Sequence, residues 1–478
     1  MRKNIVRMFM LGILIMACIG QTVKLWLGDM SSHNFFGSDY ISYEESILYP
    51  KEIWSNVNKK IYKMDENNDE NSMSFKILYE LYSEIGKEEL KVENGPKVSY
   101  EDLLSFRTGI IYNYGTRLSL EEIIGQNIKT AHNKSINSKV KTLYVDLSDL
   151  NSGNGTQAYV YLIDEVEEEG GLALKVTHKL TINNKLKFNN KVIDHFKEVA
   201  NDPDIKTYQS SLLTVNDSER FEGNVFYPVI NEANPITYSQ LRLLPLVEGI
   251  EDEELEPYIN GILRNSKSQT MTILEDGATF SDNLHLSVKY SNVGTLEFNK
   301  TLKGEVTKST PVEQMVSVTN FIANSEAIPR TLKKGLYLKE IQVSEELSET
   351  RYIFGYQYEG FDVTLSDEAK RQLNVSDFLE MTLRGKEVTS GKWVMLEVAP
   401  ADVTNSSFYE FSTSVDQAIG EIITKAGMTV EEGLRLRDLA CVYRVEDIYK
   451  GIDLKWVGSY QFTEINTEIL EIEKIDNG

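Results

Sequence analysis

The chain has 478 residues, a formal net charge of −23 and a sequence pI of about 4.8. Hydrophobic residues make up 41% of it, which is enough to build packed cores and excludes a largely disordered chain. The strong negative charge repels nucleic acid and anionic lipid surfaces, so composition argues against nucleic-acid binding by the body of the protein. The length exceeds what one hydrophobic core serves, and we expect roughly two to four domains.

The first 27 residues form a basic head followed by an apolar stretch. The unbroken apolar run covers residues 8–20, and apolar residues resume up to Leu27. A bilayer core needs about 20 helical residues, a length that 8–27 reaches if Lys24 and Trp26 lie at one interface. The basic head predicts that the N-terminus stays in the cytoplasm and the body lies outside. We therefore predict a signal anchor and a single-pass protein of the cell membrane.

Two other interpretations of this segment place the body on the same side of the membrane. A lipoprotein signal would make Cys18 the lipid-bearing residue, although the bulky Met16 fits such a motif poorly. A cleaved secretory signal has only a weak small-residue site, at residues 18–20. The span length favours the anchor over both.

The anchor also provides the predicted partner-contact residues, which are Gly12, Ala17, Gly20 and Trp26. Helices in lipid associate through small residues that let their backbones approach. Ala17 and Gly20 are three residues apart and lie on one side of a helix, whereas Gly12 begins no GxxxG motif. The hypothesis is that Ala17, Gly20 and their neighbours form the contact face.

Beyond the anchor, hydrophobic periodicity predicts short strands interrupted by helices. Predicted helices cover residues 74–85, 191–200, 255–263, 312–325 and 415–426. A further predicted helix is capped by Ser119, which forms a capping box with Glu122. Predicted strands cover residues 109–118, 140–147, 158–164, 172–182, 236–244, 270–274, 284–290, 295–298, 351–358, 377–383, 392–399, 437–443, 453–462 and 468–472, with an acidic turn at 165–171. This order predicts the α+β class: a transmembrane helix, then an extracytoplasmic body of mixed antiparallel sheets with flanking helices.

Changes in composition suggest the domain boundaries. We predict a cytoplasmic N-terminus and transmembrane anchor at 1–30, an N-terminal α+β domain at 31–205, a central β-meander domain at 206–305 and a C-terminal α+β domain at 306–478. The polar stretch at 300–311 is the linker candidate between the last two.

No set of residues has the spacing of a catalytic or metal site. None of the five histidines lies near another His or Cys as zinc ligands do. Residues 65–71 imitate the start of a calcium loop, but Glu70 and Lys76 replace the required Gly and Glu. Residues 138–141 and 281–283 imitate two motifs of penicillin-binding proteins, and the third motif is absent. We predict a protein that is not an enzyme, with no catalytic residue, metal or cofactor.

The body of the chain has one cysteine, Cys441, because Cys18 lies in the apolar segment. A disulfide within the body is therefore excluded. Cys441 lies in the apolar run 439–443, which predicts a small core residue rather than a nucleophile.

Three segments, residues 270–298, 312–363 and 438–460, together resemble the YycH family of membrane-anchored regulators of the WalK–WalR (YycG–YycF) two-component system in low-GC Gram-positive bacteria. Residues 270–298 resemble the family's central meander. Residues 312–363 resemble its next unit, a helix followed by a strand and a turn. Residues 438–460 resemble its ending, in which an apolar strand leads to a tryptophan, here Trp456.

The resemblance implies an accessory protein that acts on a WalK-type sensor histidine kinase together with a YycI-type companion. It implies three mixed α/β domains outside the membrane, transmembrane helices that take part in the contact, and an output in cell-wall metabolism genes. It carries no catalytic residues. A second hypothesis stays open: a lipid-anchored extracytoplasmic module that binds cell-wall fragments or peptides. An exported hydrolase is a third, without a visible site.

Overall fold

The computed structural model describes residues 48–472 except 58, 65–72, 88–89, 127, 129–135, 137–138, 149–156, 169–170, 184–205, 215–219, 222, 248–252, 264–269, 283–284, 303–307, 402–407, 428–434 and 462–466. Within this part, no helix combines the length and the apolar character needed to cross a membrane. The predicted anchor lies outside the described residues, as do the predicted helix at 191–200 and the polar segment at 65–71.

The first sheet contains nine strands from the N-terminal half of the chain. Its strands are β1 (Glu52–Val57), β2 (Lys60–Met64), β3 (Lys91–Asn94), β4 (Gly109–Ser119), β5 (Lys139–Asp146), β6 (Gln157–Glu168), β7 (Gly171–Asn183), β8 (Thr207–Ser210) and β9 (Phe226–Pro228). They lie in the order β3-β7-β6-β5-β4-β1-β2-β8-β9 and pair antiparallel.

Helices α1 (Met73–Lys87), α2 (Tyr100–Phe106) and α3 (Leu120–Ile124) accompany this sheet. Apolar residues recur at helical spacing in α1, which buries Phe75, Leu78, Leu81, Tyr82 and Ile85. The capping box predicted for α3 is confirmed: Ser119 Oγ accepts the Glu122 amide hydrogen, and Glu122 accepts that of Ser119.

The second sheet contains twelve strands, and its path begins with the predicted meander. Its strands are β12 (Thr270–Leu274), β13 (Gly277–Ser281), β14 (Leu286–Ser291), β15 (Thr295–Lys300), β16 (Leu336–Ser344), β17 (Glu349–Tyr358), β18 (Phe361–Leu365), β19 (Leu379–Arg384), β20 (Glu387–Val394), β23 (Arg435–Val445), β24 (Leu454–Gln461) and β25 (Thr467–Ile472). Their order is β12-β13-β14-β15-β20-β19-β17-β18-β23-β24-β25, and β16 pairs with β17. Strands β18 and β23 run parallel.

Two short strand pairs, five α-helices and a 3-10 helix at Ser211–Leu213 complete the described fold. Strand β10 (Ile236–Ser239) pairs with β22 (Phe408–Phe411), and β11 (Leu241–Pro245) pairs with β21 (Leu396–Pro400). The helices are α4 (Leu255–Leu263), α5 (Pro311–Asn324), α6 (Arg330–Gly335), α7 (Asp367–Leu373) and α8 (Val415–Ala426). Mixed antiparallel sheets with several helices confirm the α+β class.

Most predicted elements are present, with three local corrections. The acidic turn at 165–171 is wrong, because β6 continues to Glu168 and β7 begins at Gly171. The single strands predicted at 236–244 and 392–399 are each two strands, because the chain changes its pairing partner near Gln240 and Met395. The domain boundaries stay a prediction.

The two large sheets belong to one compact unit, Leu48–Gly478, and meet along a junction. Strand β4 contacts β16 at Gly115, where an added Cβ would collide with the carbonyl oxygen of Leu338. The Lys63 side chain donates a hydrogen bond to the carbonyl oxygen of Gly360, in the turn between β17 and β18. This junction places polar residues of both sheets side by side.

Candidate functional site

A polar cavity of about 340 Å³ lies at the junction of the two sheets. The first half of the chain lines it through β1, β4, β5, β6, β7 and the segment around β9, and β23 closes it from the second sheet. The charged lining residues are Lys51, Glu52, Lys141, Glu165, Arg437 and Asp438. Its volume falls within the range of roughly 300–1,000 Å³ that small-molecule sites occupy.

Two irregularities in strand pairing lie at this cavity. The register between β23 and β24 shifts between Leu436 and Asp438, so Arg437 is the extra residue of a bulge. The register between β4 and β5 shifts between Asn113 and Leu118. A regular ladder has no such breaks, and bulges commonly redirect side chains next to functional sites.

One wall of the site is a largely buried ion pair. Lys51 Nζ lies 2.9 Å from Asp362 Oδ2, with side-chain exposures of 18% and 12%. Gln357 and Tyr337 donate to the same carboxylate at 2.7 and 3.3 Å. Burial lowers the pKa of Lys51, but Asp362, Tyr337, Glu52 and Asp438 together outweigh it and raise that pKa well above its ordinary value.

The remaining first-sheet charges of the cavity also have partners. Lys141 Nζ lies 2.6 Å from Glu165 Oε1. Glu52 accepts a hydrogen bond from Asn113 Nδ2 at 3.2 Å and lies 3.9 Å from Lys63 Nζ. These pairs fix the side chains that face the cavity.

Asp438 differs from these residues. Its side chain is open to the cavity, and no described residue donates a hydrogen bond to its carboxyl group. Asp438 is exposed to solvent within the cavity. Desolvation by the surrounding protein nevertheless raises its pKa, and the charges of Glu52 and Asp362 add to this effect. Lys51 and Lys141 act in the opposite direction and do not cancel the shift.

The four predicted contact residues Gly12, Ala17, Gly20 and Trp26 lie outside the described residues, so their contacts stay a prediction.

Asp282, from the second imitated motif, accepts the backbone amide hydrogens of His285 and Leu286 at 2.8 and 2.9 Å, which is a turn-forming role. Lys141, from the first motif, is paired with Glu165.

Cys441 is buried, as predicted, with 7% of its surface exposed. Burial raises the pKa of its thiol well above the ordinary value, which disfavours the nucleophilic thiolate. In the described part of the chain, no three His, Cys, Asp or Glu side chains are grouped as metal ligands.

Sequence reasoning did not identify the cavity, although one local signal was present. Arg437 and Asp438 are two adjacent charged residues between the apolar Leu436 and Leu439. Two adjacent charged residues break the alternation of apolar and polar residues that a half-buried strand requires.

No family model and no curated protein matches the sequence. Among solved structures, the crystal structure of YycH from Bacillus subtilis covers 90% of this chain and 97% of its own chain, with a TM-score of 0.53 and 9% sequence identity. The crystal structure of an uncharacterized protein from Eubacterium rectale covers 52% of this chain and 86% of its own, with a TM-score of 0.32 and 11% identity. The predicted resemblance is thus confirmed at the level of fold: over nearly its whole length, the chain folds like YycH.

Proposed function

We propose that this protein is a membrane-anchored accessory protein that regulates a WalK-type sensor histidine kinase and thereby cell-wall metabolism. The observation that carries the proposal is the fold similarity to YycH over 90% of the chain. The three sequence segments that resemble the YycH family support it independently, because they follow the same order along the chain. In this proposal the protein is a regulator and does not catalyse a reaction.

The proposed contact with the kinase is made through the anchor and the extracytoplasmic body. A single helix in lipid associates with another helix by close packing and hydrogen bonds, since lipid provides no hydrophobic driving force between them. Ala17 and Gly20 supply small residues on one side of the proposed helix. A YycI-type companion is the proposed third member of the assembly.

The proposal is tested by deleting the gene and measuring transcription from the kinase's target promoters. A change in these promoters that the wild-type chain restores, and that is lost when the kinase is also inactivated, supports the proposal. Unchanged promoter activity in the deletion strain refutes it.

The anchor is tested with the double substitution Ala17→Leu and Gly20→Leu, which fills the proposed contact face. Ile13→Leu, in the same apolar run, is the matched control because it keeps a bulky side chain bulky. We expect the double variant to lose kinase co-purification and promoter control while it stays in the membrane. The contact face is wrong if both are retained.

Intact-mass measurement of the membrane form separates the anchor from the lipid-anchored binding module. Retention of the residues before Cys18 supports the anchor. A chain that begins with a lipid-modified Cys18 refutes it and favours the module.

A further inference from the structure

We propose that the junction cavity binds a small polar molecule through a primary ammonium group of that molecule, held by the carboxylate of Asp438. The cavity belongs to the described body, so this proposal does not depend on whether the protein regulates a kinase.

The first argument is the pairing of charges around the cavity. Lys51 is held by Asp362, and Lys141 by Glu165. Glu52 accepts a hydrogen bond from Asn113, and Arg437 also has an interaction partner. Only the carboxyl group of Asp438, among the charged groups lining the described cavity, lacks a hydrogen-bond or ion-pair partner within the described residues. A ligand that pairs with the Asp438 carboxyl group donates hydrogen bonds to it, and a positive charge on the donor strengthens them.

The second argument is the kind of cation that fits. A bound Ca²⁺ ion requires six to eight oxygen ligands, and a Mg²⁺ ion needs octahedral geometry. The described residues offer no group of three candidate metal ligands, so a metal ion is not the favoured occupant. An ammonium group needs only one carboxylate and neighbouring acceptors. Glu52 lines the same cavity and is one such acceptor.

The third argument is the neutral part of the lining. Asn113, Thr142 and Asn224 bring amide and hydroxyl groups to the cavity, and Leu174 and Phe226 bring apolar surface. These groups match the amides or hydroxyls and the short side chain of a molecule about the size of an amino-acid amide or dipeptide. The ligand class is therefore a small amine with further hydrogen-bonding groups.

Such a ligand would bridge the two sheets. Glu52, Asn113 and Thr142 lie on the first sheet, whereas Asp438 lies on β23 of the second. A molecule bound to both sides stabilises the junction, because it binds the folded protein and not the unfolded chain. Occupancy of the cavity is thus linked to the stability of the sheet contact.

The test uses two probes that differ in one group, alanyl-alanine amide and its N-acetyl derivative, titrated calorimetrically into the full-length protein in detergent micelles. Acetylation removes the ammonium group and keeps the rest of the molecule. We expect the free amine to bind at least about ten-fold more tightly than the acetylated probe, about 1.4 kcal/mol. Equal affinity, or no binding of the free amine, overturns the proposal.

The variant test uses Asp438→Asn, which keeps the shape of the side chain and removes its charge. The control is Asp416→Asn, a change of the same type at a side chain that is 81% exposed and does not line the cavity. We expect Asp438→Asn to weaken binding of the free amine at least about ten-fold and the control to leave it within about two-fold. Binding by Asp438→Asn at wild-type affinity contradicts the proposal.

The pH dependence of wild-type binding gives a second readout that does not require a variant to fold. The probe amine stays protonated below about pH 7, so changes there report the protein. The titratable and charged groups that face Asp438 are Lys51, Glu52, Lys141, Glu165, Asp362 and Arg437. We expect affinity to fall as the pH is lowered through the titration range of Asp438. A flat profile between about pH 7 and pH 4 refutes the ammonium–carboxylate contact.

Discussion

The ammonium nitrogen of Lys51 lies 2.9 Å from a carboxylate oxygen of Asp362, and this ion pair joins the edge of β1 to β18. Two further donors, Gln357 and Tyr337, satisfy the same carboxylate. A charge pair that is withdrawn from water stabilises a protein only when such hydrogen bonds are complete. Because Asp362 has these hydrogen bonds, we expect its ion pair with Lys51 to stabilise the junction of the two sheets.

Asp362→Asn should destabilise the protein by about 3 kcal/mol, because it leaves the Lys51 ammonium buried without its counter-charge. The measurement is urea unfolding of the full-length protein in detergent. Glu387→Gln is the control, since Glu387 and its partner Lys300 are 56% and 42% exposed. We expect the control to change the free energy of unfolding by less than about 1 kcal/mol. Equal effects of the two substitutions would show that the junction pair has no special role.

The same pair predicts how stability changes with pH. Burial raises the pKa of Asp362, but Lys51, Gln357 and Lys63 outweigh burial and lower it. Ionised Asp362 therefore adds to the free energy of unfolding above the pKa of an unfolded Asp, about 3.9. This stabilisation is lost as the pH falls through the lower pKa of the folded state. Because the pKa of Lys51 is raised in the folded protein, its charge stabilises the protein fully below about pH 10.4. This stabilisation is lost as the pH rises through the pKa of folded Lys51.

We thus expect the difference in unfolding free energy between wild type and Asp362→Asn to be constant from about pH 5 to pH 9 and to shrink below about pH 4. Unfolding titrations across this range check it. A difference that grows as the pH is lowered would contradict the assigned direction of the Asp362 shift.

Gly115→Ala tests the close contact between β4 and β16. Its added Cβ collides with the carbonyl oxygen of Leu338 and approaches the ring of Tyr337. Overpacking of this kind costs about 1–3 kcal/mol. Gly420→Ala, in the middle of α8, is the opposite case, because nothing lies within 4 Å of its new Cβ. It should stabilise the protein by about 1 kcal/mol through helix propensity. Thermal unfolding compares the two, and destabilisation by both would argue against the described packing.

Strand β12 is an exposed edge of the second sheet that carries no charge. Ile273 is 71% exposed and Met271 46% exposed, and edges of this kind template pairing with other chains. Ile273→Lys should change stability by less than about 0.5 kcal/mol and reduce self-association at high protein concentration, as measured by light scattering. Val288→Lys, at a fully buried position on β14, should instead prevent folding. If the Val288→Lys variant folded stably, this face of the sheet would have to be exposed to solvent, contrary to the described structure.

Cys441 should resist alkylation in the folded protein, because its thiol is buried and its pKa is raised. A Cys18→Ser background isolates its signal. Mass spectrometry after iodoacetamide treatment should show modification only when denaturant is present. Rapid labelling without denaturant would mean that the β23–β24 pair opens readily.

Local signals decided which elements could be predicted from the sequence. Helix α8 has the predicted bounds because Ser414 caps its start through the Gln417 amide and Gly427 ends it at a φ of 66°. Strand β16 is absent from the predicted strands, and its burial does not alternate, since only its first three residues are buried. Pairing with β17, rather than its own pattern, holds it in place.

The cavity could not be predicted because its residues are distant in the sequence. Glu52, Lys141 and Asp438 come together only when the two sheets meet. The raised pKa of Asp438 likewise depends on desolvation by the protein around it and on charges from other strands. The predicted anchor rests, by contrast, on local sequence features alone, its length and its basic head, and it stays a prediction.

Co-purification of the full-length protein with the WalK-type kinase from solubilised membranes tests the proposed function most directly. The comparison is a chimera in which residues 1–30 are replaced by an unrelated membrane helix of equal length and orientation. We predict that the native chain retains the kinase and that the chimera, equally abundant in the membrane, retains much less of it. Failure of the native chain to retain the kinase under conditions that preserve membrane complexes would contradict the account.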